Sequence, residues 1–237
     1  MRSKLIKTSK TILKTVGLTT VSFAGLGFLM SSLFPTYKIE GISMLPSIEP
    51  GKVYSTVTFW DEISRHDIFT IDASLIESNG SVPSDVTYIK RIVGLPGDTL
   101  VFNTQSGQLV KINSKKIQQK LDRNIRVLSL TSKLEESKGA TVVSHPYTVS
   151  FEGAEYKIYE ADKETFRGDE KMKLYTDKLF DFSFLKEQSH GDLFATIKVP
   201  NGYYFSLSDN RTAGIDSRHF GLIPESGLKN KATLKEL

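Results

Sequence analysis

The chain has 237 residues, 39% hydrophobic and 24% charged, a balance that suits a folded protein with its own core. It contains no cysteine, which excludes a disulfide framework, a thiol nucleophile and a cysteine-ligated zinc site. The net charge of +4 does not mark a nucleic-acid binder. Arg2, Lys4, Lys7, Lys10 and Lys14 carry five positive charges ahead of the first acid, Glu40, and everything after Lys14 sums to −1.

Residues 1–14 are therefore expected to be a basic cytoplasmic tail. Residues 15–37, TVGLTTVSFAGLGFLMSSLFPTY, carry no charge. As a helix rising 1.5 Å per residue this stretch is about 34 Å long, against a hydrocarbon core of about 30 Å. The basic flank places the N-terminus in the cytoplasm and the bulk of the chain on the exported side. A cleaved secretory signal has the same charge layout, but no small-x-small site follows the apolar run. A retained, single-pass helix is expected, with Tyr37 and Lys38 at its far interface. Just beyond it stands Gly41-Ile-Ser-Met-Leu-Pro-Ser-Ile48, a serine-bearing loop close to the bilayer.

From there the pattern is mostly β. Residues 53–60 and 67–72 are short, rich in β-branched and aromatic residues, and partly alternating. Residues 86–93 form another expected strand, closed by the turn Gly94-Leu-Pro-Gly97. Residues 99–102 and 108–112 flank Ser106-Gly107 as a hairpin, and residues 193–199 and 203–207 flank Pro200-Asn-Gly202 as a second. Between them the sequence turns rich in lysine and glutamate, as solvated faces and loops are. The expected fold is mainly β. It comprises an exported β-domain of residues 38–114 and 186–237, an inserted β-rich subdomain of residues 115–185, and one N-terminal transmembrane helix.

His66, His145, His190 and His219 show no zincin spacing, and no G-x-S-x-G elbow or phosphate-binding loop is present. Neither a metal nor a cofactor is expected. Three blocks carry the chemistry: the loop around Ser43, then Tyr88-Ile-Lys-Arg-Ile-Val-Gly-Leu-Pro-Gly-Asp98, then Ser208-Asp-Asn-Arg-Thr-Ala-Gly-Ile-Asp-Ser-Arg-His-Phe-Gly221. Each is bland alone, since a Lys-Arg pair is a common edge device and Pro-Gly-Asp a common turn. In this order, behind one N-terminal span, they resemble type I signal peptidase, the membrane-bound Ser-Lys endopeptidase. The blocks of that family run approximately S-M-x-P-T, Y-I-K-R-x-x-G-x-P-G-D and G-D-N-R-x-x-S-x-D-S-R-x-x-G. The likeness extends over most of the chain except residues 115–185.

The resemblance implies that Ser43 is the nucleophile and Lys90 the general base. A serine hydroxyl attacks well only when a base takes its proton, and a solvated lysine, with a pKa of about 10.4, is protonated at neutral pH. Burial among apolar groups disfavours the ammonium and lowers that value. Ile89, Ile92 and Val93 flank Lys90, while Arg91 is expected on the opposite strand face. For the oxyanion, the Ser43 N–H is the first donor. Some family members place a serine two residues before the nucleophile; here that position is Gly41, which leaves a backbone group or water.

Asp209, Asn210, Arg211, Asp216, Ser217 and Arg218 match the third block and imply structural support, with Asp216 pairing Arg218 or Arg91 to brace the strand of Lys90. Two positions depart from the family: Ser208 stands for a glycine, and Gly214 for a serine that orients the lysine amine. Either the two have exchanged and Ser208 takes over that role, or they have drifted and a water or a carbonyl orients the amine, or the site is weakened. The pockets for the small side chains of a signal peptide are assigned to Ile39, Met44, Ile48, Tyr88 and Ile89. The implied partners are signal-peptide-bearing preproteins, membrane lipid and the neighbouring protein-export machinery. The implied location is the bacterial inner (cytoplasmic) membrane. Cleavage after a small-x-small sequence is the implied reaction; the alternatives are a dedicated pilin or conjugation precursor peptidase of the same fold, and a membrane-anchored β scaffold with impaired catalysis. A self-cleaving Ser-Lys repressor would need an N-terminal DNA-binding domain, for which residues 1–14 are too few.

Overall fold

The structure, a computed structural model, describes residues 25–76, 86–122, 126–130, 140–160 and 166–236. Residues 25–33 form a helix, α1. The cytoplasmic tail and the expected span from 15 to 24 lie outside the described residues, and among those described no helix is long and apolar enough to cross a membrane. Pro35 ends α1, as a residue without an N–H and with fixed φ does. The chain then enters β1 (Thr36–Lys38), which pairs with β2 (Val53–Val57). Thr56 ties this junction down twice, its N–H and its hydroxyl both donating to the Pro35 carbonyl at 2.9 and 2.8 Å.

The site rests on a seven-stranded antiparallel sheet with the order β1-β2-β15-β3-β4-β13-β14. Its members include β3 (Ile68–Asp72), β4 (Thr87–Gly94), β13 (Tyr203–Leu207), β14 (Ile223–Pro224) and β15 (Leu228–Glu236). Strand β4 is buried continuously from Lys90 to Gly94 because it has β3 on one side and β13 on the other. Gly94 is required where β4 meets the core. A Cβ there would lie 2.8 Å from both Leu100 Cδ1 and Phe205 Cβ, inside any real contact distance.

A four-stranded sheet, β12-β5-β6-β7, packs beside it and is built from β5 (Thr99–Asn103), β6 (Leu109–Ile112), β7 (Lys115–Lys116) and β12 (Phe194–Lys198). The hairpin expected between residues 99 and 112 forms. The one expected between residues 193 and 207 does not: β12 pairs with β5, and β13 pairs with β4 and β14. The burial pattern explains the split. In β12 only alternate residues are buried, whereas Tyr204–Leu207 of β13 are buried in succession and need neighbours on both sides. The turn at residues 200–202 therefore passes the chain from one sheet to the other.

The stretch after Lys115 holds a ribbon of β8 (Gln118–Leu121), β9 (Arg126–Leu130), β10 (Ala140–Phe151) and β11 (Ala154–Glu160), with β10 at its centre. It is not β-rich throughout, however. Glu170–Leu179 and Ser183–Ser189 are helices, α2 and α3. In α2 an acidic residue opens the first turn and a lysine closes the last, which suits the helix dipole. The expected boundary at 185 falls inside α3, whose Leu185 is fully buried in the cluster with Phe102, Phe182, Ala195 and Phe205.

Candidate active site

Ser43 sits in a tight turn between β1 and β2. Leu45 N–H donates to the Ile42 carbonyl at 3.2 Å, and Ile48 N–H to the Met44 carbonyl at 2.9 Å. Met44 and Ile48, both fully buried, pin the turn into a small core with Ile39, Tyr54 and Ile68. Asn210 clamps it from the other side. Its N–H donates to the Ser43 carbonyl at 2.9 Å and its Nδ2 to the Ile42 carbonyl at 3.1 Å. The Ser43 side chain remains half-buried, and among the described residues its N–H is engaged by no hydrogen bond.

Lys90 arrives on β4, opposite Phe69 of β3. Its Nζ lies 3.0 Å from Ser43 Oγ and donates to the Ile89 carbonyl at 2.9 Å. The residue is 2% exposed. Burial pushes its pKa down from 10.5 to about 8, against the opposing pull of the Asp216 and Asp209 charges. The Tyr88 ring stands 5.3 Å from the amine. A hydroxyl and a desolvated amine in hydrogen-bond contact can pass a proton directly.

Arg91, the next residue, points to the opposite face. Of the two partners left open for Asp216 it is Arg218 that forms the pair, and Arg91 pairs with Asp209: Nε meets Asp209 Oδ1 at 2.8 Å and Nη2 meets Oδ2 at 2.6 Å. Its Nη1 donates to the His66 carbonyl at 2.8 Å, and Nη2 also reaches Ser47 Oγ at 3.1 Å. A single guanidinium thus ties the strand of Lys90 to the turn that carries Ser43. Asp216 pairs with Arg218, through Nε at 2.8 Å and Nη2 at 2.8 Å. Burial opposes the Asp216 charge, but Arg218 and His219 hold the carboxyl well below its ordinary range. Its Oδ2 also accepts the Ser208 N–H at 2.9 Å. Ser217 Oγ accepts the Ser206 N–H at 3.0 Å, and the Arg211 carbonyl accepts from Arg218 at 2.8 Å. The third block thus holds the turn of Ser43 and the strand of Lys90, with Arg211 contributing its backbone.

Ser208 is fully buried and its hydroxyl has no hydrogen-bond partner among the described residues, so the expected link from Ser208 to Lys90 is not made in this conformation. Its position is informative nonetheless. A Cβ on Gly214 would collide with the Ser208 side chain and come within 3.2 Å of Ser43 Cβ. Residues 208 and 214 compete for one volume beside the nucleophile. At Gly41, which is exposed, a Cβ would meet nothing within 4 Å.

Of the residues assigned to the pocket, Met44 and Ile48 are fully buried and Ile39 is 7% exposed, so in this conformation they form a floor under the turn that carries Ser43. Ile89 borders that cluster and is half-buried. Tyr88 packs on the other side, stacked on Phe220 at 5.9 Å. Sequence reasoning missed Ser47, whose hydroxyl meets Arg91, and Tyr156, whose ring covers the Arg91 guanidinium at 4.4 Å. A hydroxyl in the position of the family's threonine signalled the first; nothing local signalled the second.

The family model for signal peptidase, peptidase S26, matches residues 10–235. A signal peptidase I from Bacillus licheniformis is 31% identical over 195 residues, covering 81% of this chain and 70% of that one. A signal peptidase I from Bacillus amyloliquefaciens is 30% identical over 198 residues, covering 82% and 69%. The signal peptidase I V of Bacillus subtilis (strain 168) is 24% identical over 201 residues, covering 84% and 83%.

Proposed function

The chain belongs to the signal peptidase family, peptidase S26, and on that premise we propose that it removes N-terminal signal peptides from exported preproteins with Ser43 and Lys90 as its catalytic dyad. It is a serine peptidase, a hydrolase. The observation that carries the dyad assignment is the 3.0 Å contact between Ser43 Oγ and the buried Lys90 Nζ.

In the proposed reaction neutral Lys90 takes the Ser43 proton as Oγ attacks the scissile carbonyl carbon. The oxyanion faces the Ser43 N–H, and the open space at Gly41 leaves room for a water or a backbone group of the substrate beside it. The Lys90 ammonium then returns the proton to the leaving amine as the C–N bond breaks, giving a Ser43 ester and the freed mature protein. Water, deprotonated by Lys90, attacks the ester and restores the serine. Signal peptides with small residues at the cleavage site bind as an extended strand against the site, where Ile89 and Tyr88 are the half-buried apolar groups. The uncharged stretch that begins at residue 15 and ends where α1 gives way to β1 anchors the enzyme in the bacterial cytoplasmic membrane with its basic tail inside, and brings the site to a substrate held in the same bilayer.

The test is cleavage of a purified preprotein by the full chain, by Ser43→Ala and by Lys90→Ala. Cleavage by the wild type alone is expected. Residual activity in either variant near the wild-type rate would dismiss the dyad.

A further inference from the structure

The ribbon of β10 and β11 does more than decorate the catalytic domain. Tyr159 of β11 bonds both sides of the third block: its N–H donates to the Asp209 carbonyl at 2.9 Å, and its carbonyl accepts the Arg211 N–H at 2.8 Å. These two bonds form an isolated parallel bridge to Asn210. Three residues earlier on the same strand, the Tyr156 ring lies over the Arg91 guanidinium at 4.4 Å, with the His66 ring 5.2 Å away. The ribbon therefore grips both members of the Arg91–Asp209 pair, one by its side chain and the other by its backbone.

That pair is the fastening between the dyad's two carriers. Arg91 adjoins Lys90 and holds Ser47 in the nucleophile's turn, while Asp209 adjoins Asn210, which holds the Ser43 and Ile42 carbonyls. A guanidinium bound edge-on by a carboxylate still has two open faces, along which it can tilt. An aromatic ring on one face removes that freedom and adds a cation–π attraction that is stronger away from water.

We propose that Tyr156 is a positioning residue for the Ser43–Lys90 dyad, acting through Arg91, so that the inserted ribbon sets the geometry of a site none of whose reacting atoms it supplies. This rests on the dyad reading above. It predicts that the ring over Arg91 carries most of the effect, and that the hydroxyl, which meets the Arg211 side chain, contributes less.

The experiment compares Tyr156→Phe and Tyr156→Leu in the full chain, with Tyr156→Met, which is of similar bulk, as the alternative if the leucine variant folds poorly. Steady-state cleavage of a preprotein is measured across pH, together with hydrogen exchange at the Asn210 amide. The leucine variant is expected to lose about tenfold or more in kcat with little change in KM, since small misplacements of reacting groups are costly. Its acid limb should move to higher pH as Lys90 becomes better solvated, and Asn210 exchange should quicken. The phenylalanine variant keeps the ring and loses only the hydroxyl's contact with Arg211, so it should stay much nearer the wild type than the leucine variant in all four measurements. Wild-type kcat and exchange in the leucine variant would overturn the proposal, as would an equal loss in the phenylalanine variant. If the wild type cuts no preprotein, the reading of the activity fails, while exchange at Asn210 still decides the role of the ring.

Discussion

The lowered pKa of Lys90 is open to a quantitative test by pH. At a solvated value of 10.5 about one amine in three thousand is neutral at pH 7; at about 8 it is about one in ten. Burial therefore enlarges the supply of usable base about 300-fold at neutral pH, equivalent to about 3 kcal/mol. Cleavage of a fluorogenic peptide spanning a signal-peptide junction should show kcat/KM climbing about tenfold per pH unit below pH 7.5 and levelling above about 8.5. The same shift has a stability consequence of fixed sign. Below about pH 8 both the folded and the unfolded chain hold the proton, and the folded state bears the full cost of a buried ammonium. Between about 8 and 10.5 only the unfolded chain holds it, so stability rises with pH. Lys90→Met, lacking that group, should be the more stable protein at pH 7, by up to about 3 kcal/mol, and should lose its advantage by pH 10.5. A rate profile that is flat from pH 6 to 9, or one whose midpoint lies near 10.5, would refute the claim that desolvation arms this amine.

Further outcomes follow from the same contacts. Asp209→Asn should cost about 3–5 kcal/mol in urea unfolding, because it leaves the buried Arg91 charge uncompensated. Arg91→Lys should be defective too, since an ammonium cannot make the two-pronged contact while also reaching His66 and Ser47; wild-type stability in either variant would contradict the fastening role. Gly214→Ala should destabilise by about 1–3 kcal/mol through collision with Ser208, and adding Ser208→Gly should recover most of it; purely additive effects would disprove a shared volume. Ser208→Ala removes a hydroxyl that satisfies no hydrogen bond, so both stability (within about 0.5 kcal/mol) and the cleavage rate should stay near the wild type; a several-fold slower variant would give Ser208 a part in orienting Lys90.

The sequence made the central elements legible where local pattern and tertiary role agree. Strand β4 announces itself by its β-branched run and its Pro-Gly turn, and both dyad members lie within marked blocks. What stayed hidden depends on partners distant in the chain. Strand β15 carries Lys229 and Lys231, which conceal the fact that Leu228 and Asn230 alternate inward; only the acids Asp72 and Asp67 across the sheet explain the lysines. Strands β12 and β13 flank a convincing turn yet belong to different sheets, because burial on both flanks outweighs hairpin geometry. The sequence left Arg218 and Arg91 open as partners of Asp216, because two buried aspartates sit seven residues apart in one block and the choice between them is made by which face of β4 the Arg91 side chain leaves.

The shared space of residues 208 and 214 also constrains how such a site can change over generations. Moving a side chain from one position to the other takes two substitutions, and their order is not free. Filling 214 first forces an overlap beside the nucleophile, whereas emptying 208 first passes through a looser but foldable intermediate. Descent between the two arrangements is therefore expected to run through chains with glycine at both places.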